Sequence, residues 1–185
     1  MSNVAILSNL SSDPVEFVLT PPAEYGLDLA YKFRARHTLG ALTQLIAGAK
    51  AEIIIASPFI QESEILGSGP LGLALIGAVR RGVPVDFVST GSSLAAIRLK
   101  KFGGRGGKVR LFQPKRNIKD VRQLGSHAKF CVVDSQHVYV GSANLTSPGL
   151  GSNLEMGFVI HGEMANRIAS MFRFLNDSGF LIEVT

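Results

Sequence analysis

The sequence predicts an α/β fold: a mixed, mainly parallel β-sheet flanked by helices on both faces, in a single domain spanning residues 1–185. Three observations predict it. Apolar runs of strand length alternate with helix-length segments over the first two-thirds of the chain, an order that implies parallel pairing through right-handed crossovers. Twenty glycines sit mostly at the joints between these segments. A chain of 185 residues, 46% hydrophobic and 18% charged, supplies one full core but not two.

Residues 1–34 read as an N-terminal extension. In it "VAIL" and "VEFVLT" are two short strands around a Ser-Ser-Asp-Pro turn, and "PPAEYG" is a loop. From Ala35 to Ala49, Leu39, Leu42, Leu45 and Ile46 recur at helical spacing. "AEIIIASPFI" is a buried strand stopped by Pro58, and "LGLALIGAVRRG" is an apolar helix ending at Gly82. "VPVDFVST" is the next strand, and Ser92 and Ser93 cap a helix over "LAAIRLKKF". "KVRLFQ" is a third strand. A hairpin turning at Asp134–His137 then adds antiparallel strands at one side of the sheet. "NLEMGFVI" follows as a strand and "EMANRIASMFRFLND" as a closing helix.

No apolar stretch approaches the ~20 residues of a membrane span. The N-terminus lacks the basic and apolar regions of a secretory signal. A single cysteine, Cys131, excludes an internal disulfide framework and fits a reducing, cytoplasmic location. The net charge is +5, and ten of the nineteen Lys and Arg residues fall in one run. They are Arg98, Lys100, Lys101, Arg105, Lys108, Arg110, Lys115, Arg116, Lys119 and Arg122, opposed only by Asp120. A charge so localised favours a polyanion, a nucleic-acid backbone or an anionic lipid surface. A solubilising face is the plainer reading.

The run leads into "GSHAKFCVVDSQHVYVGSANLT", where polar side chains interrupt an apolar hairpin. Alternation puts His127 and Lys129 on one face. With an even-numbered loop centred on Ser135–Gln136, His127 lies opposite Asn144 and Lys129 opposite Ser142, each pair with Cβ atoms about 4.5–5.5 Å apart. An odd-numbered loop moves Ser142 and Asn144 to the other face. In the even register an ammonium, a hydroxyl and an amide converge beside an imidazole, and Gly141 lets a backbone approach. One good metal ligand is too few for a metal site. An anion with several oxygens fits, with His127 as nucleophile or proton carrier.

These residues resemble the phospholipase D superfamily. His127-Ala-Lys129, Asp134 five residues on, and Gly141-Ser142-Ala143-Asn144 fill its HxK(x4)D(x6)GSxN motif, and "NLEMG" is similar to its downstream Asn-x-Glu segment. The resemblance covers roughly residues 38–175. It implies that His127 attacks phosphorus to form a phosphohistidine, and that a second motif's histidine protonates the leaving oxygen. Lys129, Ser142 and Asn144 hold the nonbridging oxygens, and Glu155 accepts a hydrogen bond from His127. No cofactor or metal is implied. Asp134 lies in the turn or on the opposite face, so it and Gly141 read as structural.

The chain holds one such motif, since His37, His137 and His161 have no Lys two positions on. A complete site therefore needs a homodimer meeting at the active-site face. The resemblance and the basic run together imply a metal-independent nuclease acting on DNA or RNA. The alternatives are a phospholipid hydrolase or phosphatidyltransferase, and a non-catalytic nucleic-acid-binding subunit of a prokaryotic defence complex of the DISARM type.

Weaker signals read as structural. "GSGPLG" at 67–72 matches a dinucleotide fingerprint, but the preceding strand ends too early for that turn. Pro70 suits the first turn of the next helix. Cys131 reads as buried, and Asn144-Leu-Thr146 as a sequon by letter only. Phe102, Phe112 and Tyr139 read as core rather than base-stacking. His37, beside Arg34 and Arg36, reads as surface or as an extra phosphate contact.

Overall fold

A computed structural model describes residues 14–95, 97–102, 106–115 and 126–184. The strand expected at "VAIL" and the basic residues Arg105, Arg116, Lys119 and Arg122 lie outside the described residues. In chain order the elements begin with β1 (Val15–Thr20), α1 (Gly26–Lys32), β2 (Arg36–His37), α2 (Thr38–Gly48) and β3 (Ile53–Ala56). Next come α3 (Glu62–Leu66), α4 (Pro70–Arg80), β4 (Val85–Val88), α5 (Gly91–Ala95), a single 3-10 turn (Leu99–Phe102) and β5 (Val109–Pro114). The remainder is β6 (Phe130–Val133), β7 (His137–Gly141), α6 (Ser147–Gly151), β8 (Glu155–His161), α7 (Glu163–Asp177) and β9 (Leu181–Val184).

The strands form one sheet in the order β2-β1-β8-β7-β6-β3-β4-β5-β9. β3, β4 and β5 are parallel, as strand–helix alternation requires. β6, β7, β8 and β1 continue it antiparallel. The hairpin β6–β7 therefore lies inside the sheet, with β8 and β3 on its flanks, rather than at one side as expected. The reason is that β8 and β1 add a further pair outside it.

Two apolar layers sandwich the sheet. Leu42 and Ile46 of α2 and Leu71 and Leu75 of α4 pack with Ile53, Ile55 and Phe87 on one face. Ala165, Ala169 and Phe172 of α7 pack with Ile54, Phe112, Val132 and Val138 on the other. All four residues of β3 are buried, which is why that strand reads as an unbroken apolar run. Asp86 and Arg110, register partners on β4 and β5, close a bidentate pair at 2.7 and 2.6 Å.

The fold departs from the sequence expectation in five places, the first being β2 (Arg36–His37) at the start of the helix expected from Ala35 to Ala49. The helix expected over 94–102 divides into α5 and the 3-10 turn. The short helices α1, α3 and α6 and the strand β9 carry no pattern that anticipates them. The hairpin is interior. Its loop is odd-numbered, because Asp134 enters the turn.

The glycines of "GSGPLG" are steric. A Cβ at Gly67 would overlap the Ser63 carbonyl, and one at Gly72 would meet the Gly67 carbonyl at 2.5 Å. Cys131 is fully buried, which pushes its thiol up to about 12 and leaves it unreactive.

Candidate active site

The hairpin pairs Phe130 with Val140, Cys131 with Tyr139, Val132 with Val138 and Val133 with His137. Three residues, Asp134 to Gln136, make the turn, so the expected even register is displaced by one. The cause is Asp134. Its φ is +56°, a left-handed conformation that Asp tolerates better than most residues. From there its carboxylate accepts the backbone N–H groups of Lys50 (3.0 Å), Ala51 (2.7 Å) and Glu52 (3.0 Å) in the α2–β3 connection. The turn is spent on anchoring a neighbouring loop, and that costs one residue of register.

Plain alternation in this register would send Ser142 and Asn144 away from Lys129. A bend prevents it. Gly141 donates its N–H to the Lys129 carbonyl at 3.2 Å, and there β7 ends. A Cβ at Gly141 would overlap the Tyr139 hydroxyl and the Met156 carbonyl, so only glycine lets Tyr139 fold over β8 at this point. Ser142 then leaves the strand. Its N–H donates to the Met156 carbonyl (2.9 Å), its hydroxyl donates to Glu155 Oε2, and the Met156 N–H donates back to that hydroxyl (3.1 Å). Glu155 is buried, and its other oxygen accepts from Asn153 Nδ2 at 3.3 Å.

His127 is exposed just ahead of β6, and Lys129 is half-buried beside it. The Lys129 ammonium lies 3.2 Å from Nδ1 and 3.4 Å from Nε2 of His127, and 3.3 Å from the His127 carbonyl. Burial holds the Lys129 pKa below its ordinary value, against the nearby Glu155 charge, which raises it. Asn144 stands at the C-terminal end of β3, its Oδ1 3.3 Å from the Ser57 hydroxyl. That hydroxyl also donates to the Phe59 carbonyl (2.8 Å) and accepts the Leu145 N–H (3.3 Å).

The structure thus gathers His127 and Lys129, joins Ser142 to Glu155, and sets Asn144 against β3. The expected hydrogen bond from His127 to Glu155 is absent among the described residues. Glu155 opens β8, which pairs with β7, whereas His127 precedes β6 one strand further away. Glu155 meets Ser142 instead and acts on Lys129 through its charge.

Two supporting residues, Ser57 and Pro58, escape a reading of the sequence, whereas Asn153 is the Asn of the Asn-x-Glu segment. Ser57 braces Asn144, and Asn153 braces Glu155. Pro58 offers one carbonyl to the hydroxyls of Ser89 (3.3 Å), Thr90 (2.9 Å) and Ser93 (3.1 Å), which pins the loop carrying Ser57. The available signal is the hydroxyl residues just after two consecutive apolar strands, "ASPF" and "STGSS".

The basic run disperses. Arg98 and Lys101 face Glu62 at 3.7 and 3.4 Å, Lys108 faces Glu183 at 3.8 Å, and Arg110 is committed to Asp86. Lys100 and Lys115 are exposed with no ion pair among the described residues. Thr146 caps α6, accepting the Gly149 N–H at 3.3 Å, so the sequon threonine is a helix cap. No helix among the described residues is long and apolar enough to cross a membrane.

Residues 42–175 match the family model described as the cardiolipin synthase, phospholipase D-like domain. The DISARM protein DrmC of Bacillus paralicheniformis is 25% identical over 173 residues, covering 88% of this chain. The chain spans 65% of that protein's length. Among solved structures the fold is similar to NucT from Helicobacter pylori (TM-score 0.60, 18% identity, 89% of this chain and 98% of that one). It is also similar to Nuc, a phospholipase D family member from Salmonella typhimurium (0.61, 20%, 93% and 98%). A phosphatidylserine synthase from Haemophilus influenzae matches with a TM-score of 0.62 at 12% identity, over 95% of this chain and 41% of its own.

Proposed function

Because the chain belongs to the phospholipase D superfamily, we propose that it is a metal-independent phosphodiesterase that cleaves nucleic acid through a phosphohistidine at His127, in a site completed by a second copy of the chain. The observation that carries this reading is the exposed His127–Lys129 pair, with Ser142, Asn144 and Glu155 held at the adjoining strand ends. His127 Nε2 attacks phosphorus, an N–P bond forms, and the P–O bond to the leaving group breaks. The leaving oxygen takes its proton from His127 of the second copy. That imidazole, now neutral, removes a proton from water, whose oxygen expels the first His127. Lys129 and Asn144 donate to the nonbridging oxygens as charge builds there. Ser142 and Glu155 fix the floor of this pocket and keep a negative charge near Lys129.

The surface supports the second copy. α7 covers only part of its sheet face. Beyond it Val140, Phe158 and Met156 stay open, the latter two 48% and 56% exposed, directly beside Gly141 and Glu155. On α7 itself Met171 and Phe174 point outward, Phe174 69% exposed. An apolar sheet strip and an apolar helix edge on one face suit a two-fold pairing, each copy's helix covering the other's strip.

The test is cleavage of single- and double-stranded DNA and RNA with EDTA present. His127→Ala should lose at least ~1,000-fold in rate with its mass in solution unchanged. Activity that requires a divalent ion, or that survives in His127→Ala, sinks the mechanism. The family description, a cardiolipin synthase, phospholipase D-like domain, supports a second reading, hydrolysis or transfer of a phosphatidyl group. Labelled phosphatidylcholine run in parallel separates the two. The similarity to DrmC supports a setting within a prokaryotic defence complex, which co-purification from a host carrying the system would test.

A further inference from the structure

The hairpin has a second polar end. At the turn of β6–β7, on the α2 side of the sheet, lies a cleft of about 590 Å³, a size that suits a small ligand. Its walls are Glu16, Arg36, Lys50, Asp134, His137 and His161, with Gln44, Gln136 and the apolar Leu45 and Val133 between them. None of these residues belongs to the His127 site. The cleft and that site are separated by the length of the hairpin strands.

The hydrogen bonds fix what the cleft offers. Arg36 holds Glu16 Oε2 at 2.5 Å and Gln44 Oε1 at 2.6 Å. Glu16 Oε1 lies 2.9 Å from His161 Nε2, and His161 Nδ1 lies 2.6 Å from His137 Nδ1. Arg36 and His161 hold the Glu16 pKa low, so its carboxylate is ionised and His161 Nε2 carries a proton. The two Nδ1 atoms then share a single proton. When both rings are neutral it sits on His137, and His137 Nε2 is a free acceptor.

Both carboxylates are already engaged, Glu16 by Arg36 and His161, and Asp134 by three backbone N–H groups. What remains is the Lys50 ammonium, the amide donors of Gln44 and Gln136, and His137 Nε2. Two ring nitrogens 2.6 Å apart are too close to ligate one metal ion, and no metal-binding group forms among the described residues. The remaining groups are donors, or become one on protonation.

We propose that this cleft binds a small phosphomonoester, a free phosphate or the phosphate of a mononucleotide, and takes up one proton at His137 in doing so. An anion facing His137 Nε2 and Lys50 stabilises the His137 imidazolium, whose Nε2–H donates to the ligand while its Nδ1–H still donates to His161 Nδ1. Without ligand, burial and the neighbouring His161 keep the His137 pKa below its ordinary value, opposed by Asp134 and Glu16. Affinity therefore rises as pH falls, because the bound state holds a proton that the free state lacks.

The test follows the ring nitrogens of His137 and His161 by NMR in the full chain, in a His127→Ala background that disables the other phosphate site. Sulfate, whose charge is constant over the range, is the first probe; inorganic phosphate and adenosine monophosphate are the others. All three should move both rings at millimolar concentration. Sulfate affinity should rise about tenfold per pH unit while His137 is neutral in the free protein. His137→Gln should retain weak binding with no pH dependence, and Lys50→Met should lose about tenfold or more in affinity with an unchanged melting temperature. Tighter binding of adenosine monophosphate than of phosphate identifies a mononucleotide site, and equal binding a site for phosphate alone. Rings that stay still with every probe, or an affinity indifferent to Lys50→Met, overturn the proposal.

Discussion

Replacing Asp134 separates a structural from a catalytic role for the most conspicuous acid of the hairpin. In Asp134→Ala three N–H groups lose their acceptor. Those of Lys50 and Ala51 are exposed, so water replaces most of what they lose, about 0.5 kcal/mol each. That of Glu52 is partly buried, and leaving it unmet costs about 1–3 kcal/mol. Alanine at φ +56° adds about 1 kcal/mol of left-handed strain. The sum is about 3–5 kcal/mol, or roughly 6–20 °C in melting temperature for a chain of this size. Asp134→Gly removes the strain but does not restore the acceptor, and should recover about 1 kcal/mol. Urea and thermal unfolding measure both. Phosphodiesterase rates taken well below the melting temperature should stay within about threefold of the parent. A variant that melts like the parent yet loses its activity would refute this account and move Asp134 into the chemistry.

Phe158→Glu puts a charge on the open apolar strip. It should weaken dimer formation by about 100-fold or more, which is ~3 kcal/mol, and activity should fall in proportion to the dimer population. Sedimentation against protein concentration reads the first quantity, and a dimer of full strength in Phe158→Glu excludes this face. His37 and His137 both have pKa values lowered by burial from 6.5, so below that pH the unfolded chain takes up protons that the folded chain refuses. Stability should therefore fall as pH drops below about 6.5, without added anions, and His137→Gln should flatten part of the slope. In the basic run, Lys100→Glu with Lys115→Glu should flatten the salt dependence of nucleic-acid binding by about 0.9 for each phosphate that is no longer neutralised. Arg110→Met should instead lower stability and leave that slope intact, because its guanidinium serves Asp86.

The long elements were legible because their patterns are long. The closing helix Glu163–Asp177 stands where it is expected, and the four buried residues of β3 show as an uninterrupted apolar run. Short helices of five or seven residues give too few turns to establish a period, so α1, α3 and α6 were invisible. Strand β9 is four residues with two exposed, and its pairing with β5 depends on a return across the sheet that no local signal encodes. Within the site, the identity and spacing of His127, Lys129, Ser142 and Asn144 were readable, but their geometry was not. Counting along two ideal strands puts His127 opposite Asn144 and Lys129 opposite Ser142, a register the hairpin does not adopt. A left-handed Asp134 shifts the register by one, and a bend at Ser142 ends the alternation after Gly141. Glu155 meets Ser142 in the structure, where the resemblance implies a hydrogen bond from His127.

The closing helix has a mechanical consequence. It starts where β8 ends and delivers the chain to β9, so it travels from the third strand of the sheet to the ninth, a span of about 29 Å at ordinary strand spacing. Fifteen residues of helix reach about 22 Å, and the short connectors supply the rest. The parallel flank and the antiparallel flank are thereby laced together by one diagonal tie. Neither flank can loosen without slackening the tie, and whatever strain one end of the sheet feels is carried to the other.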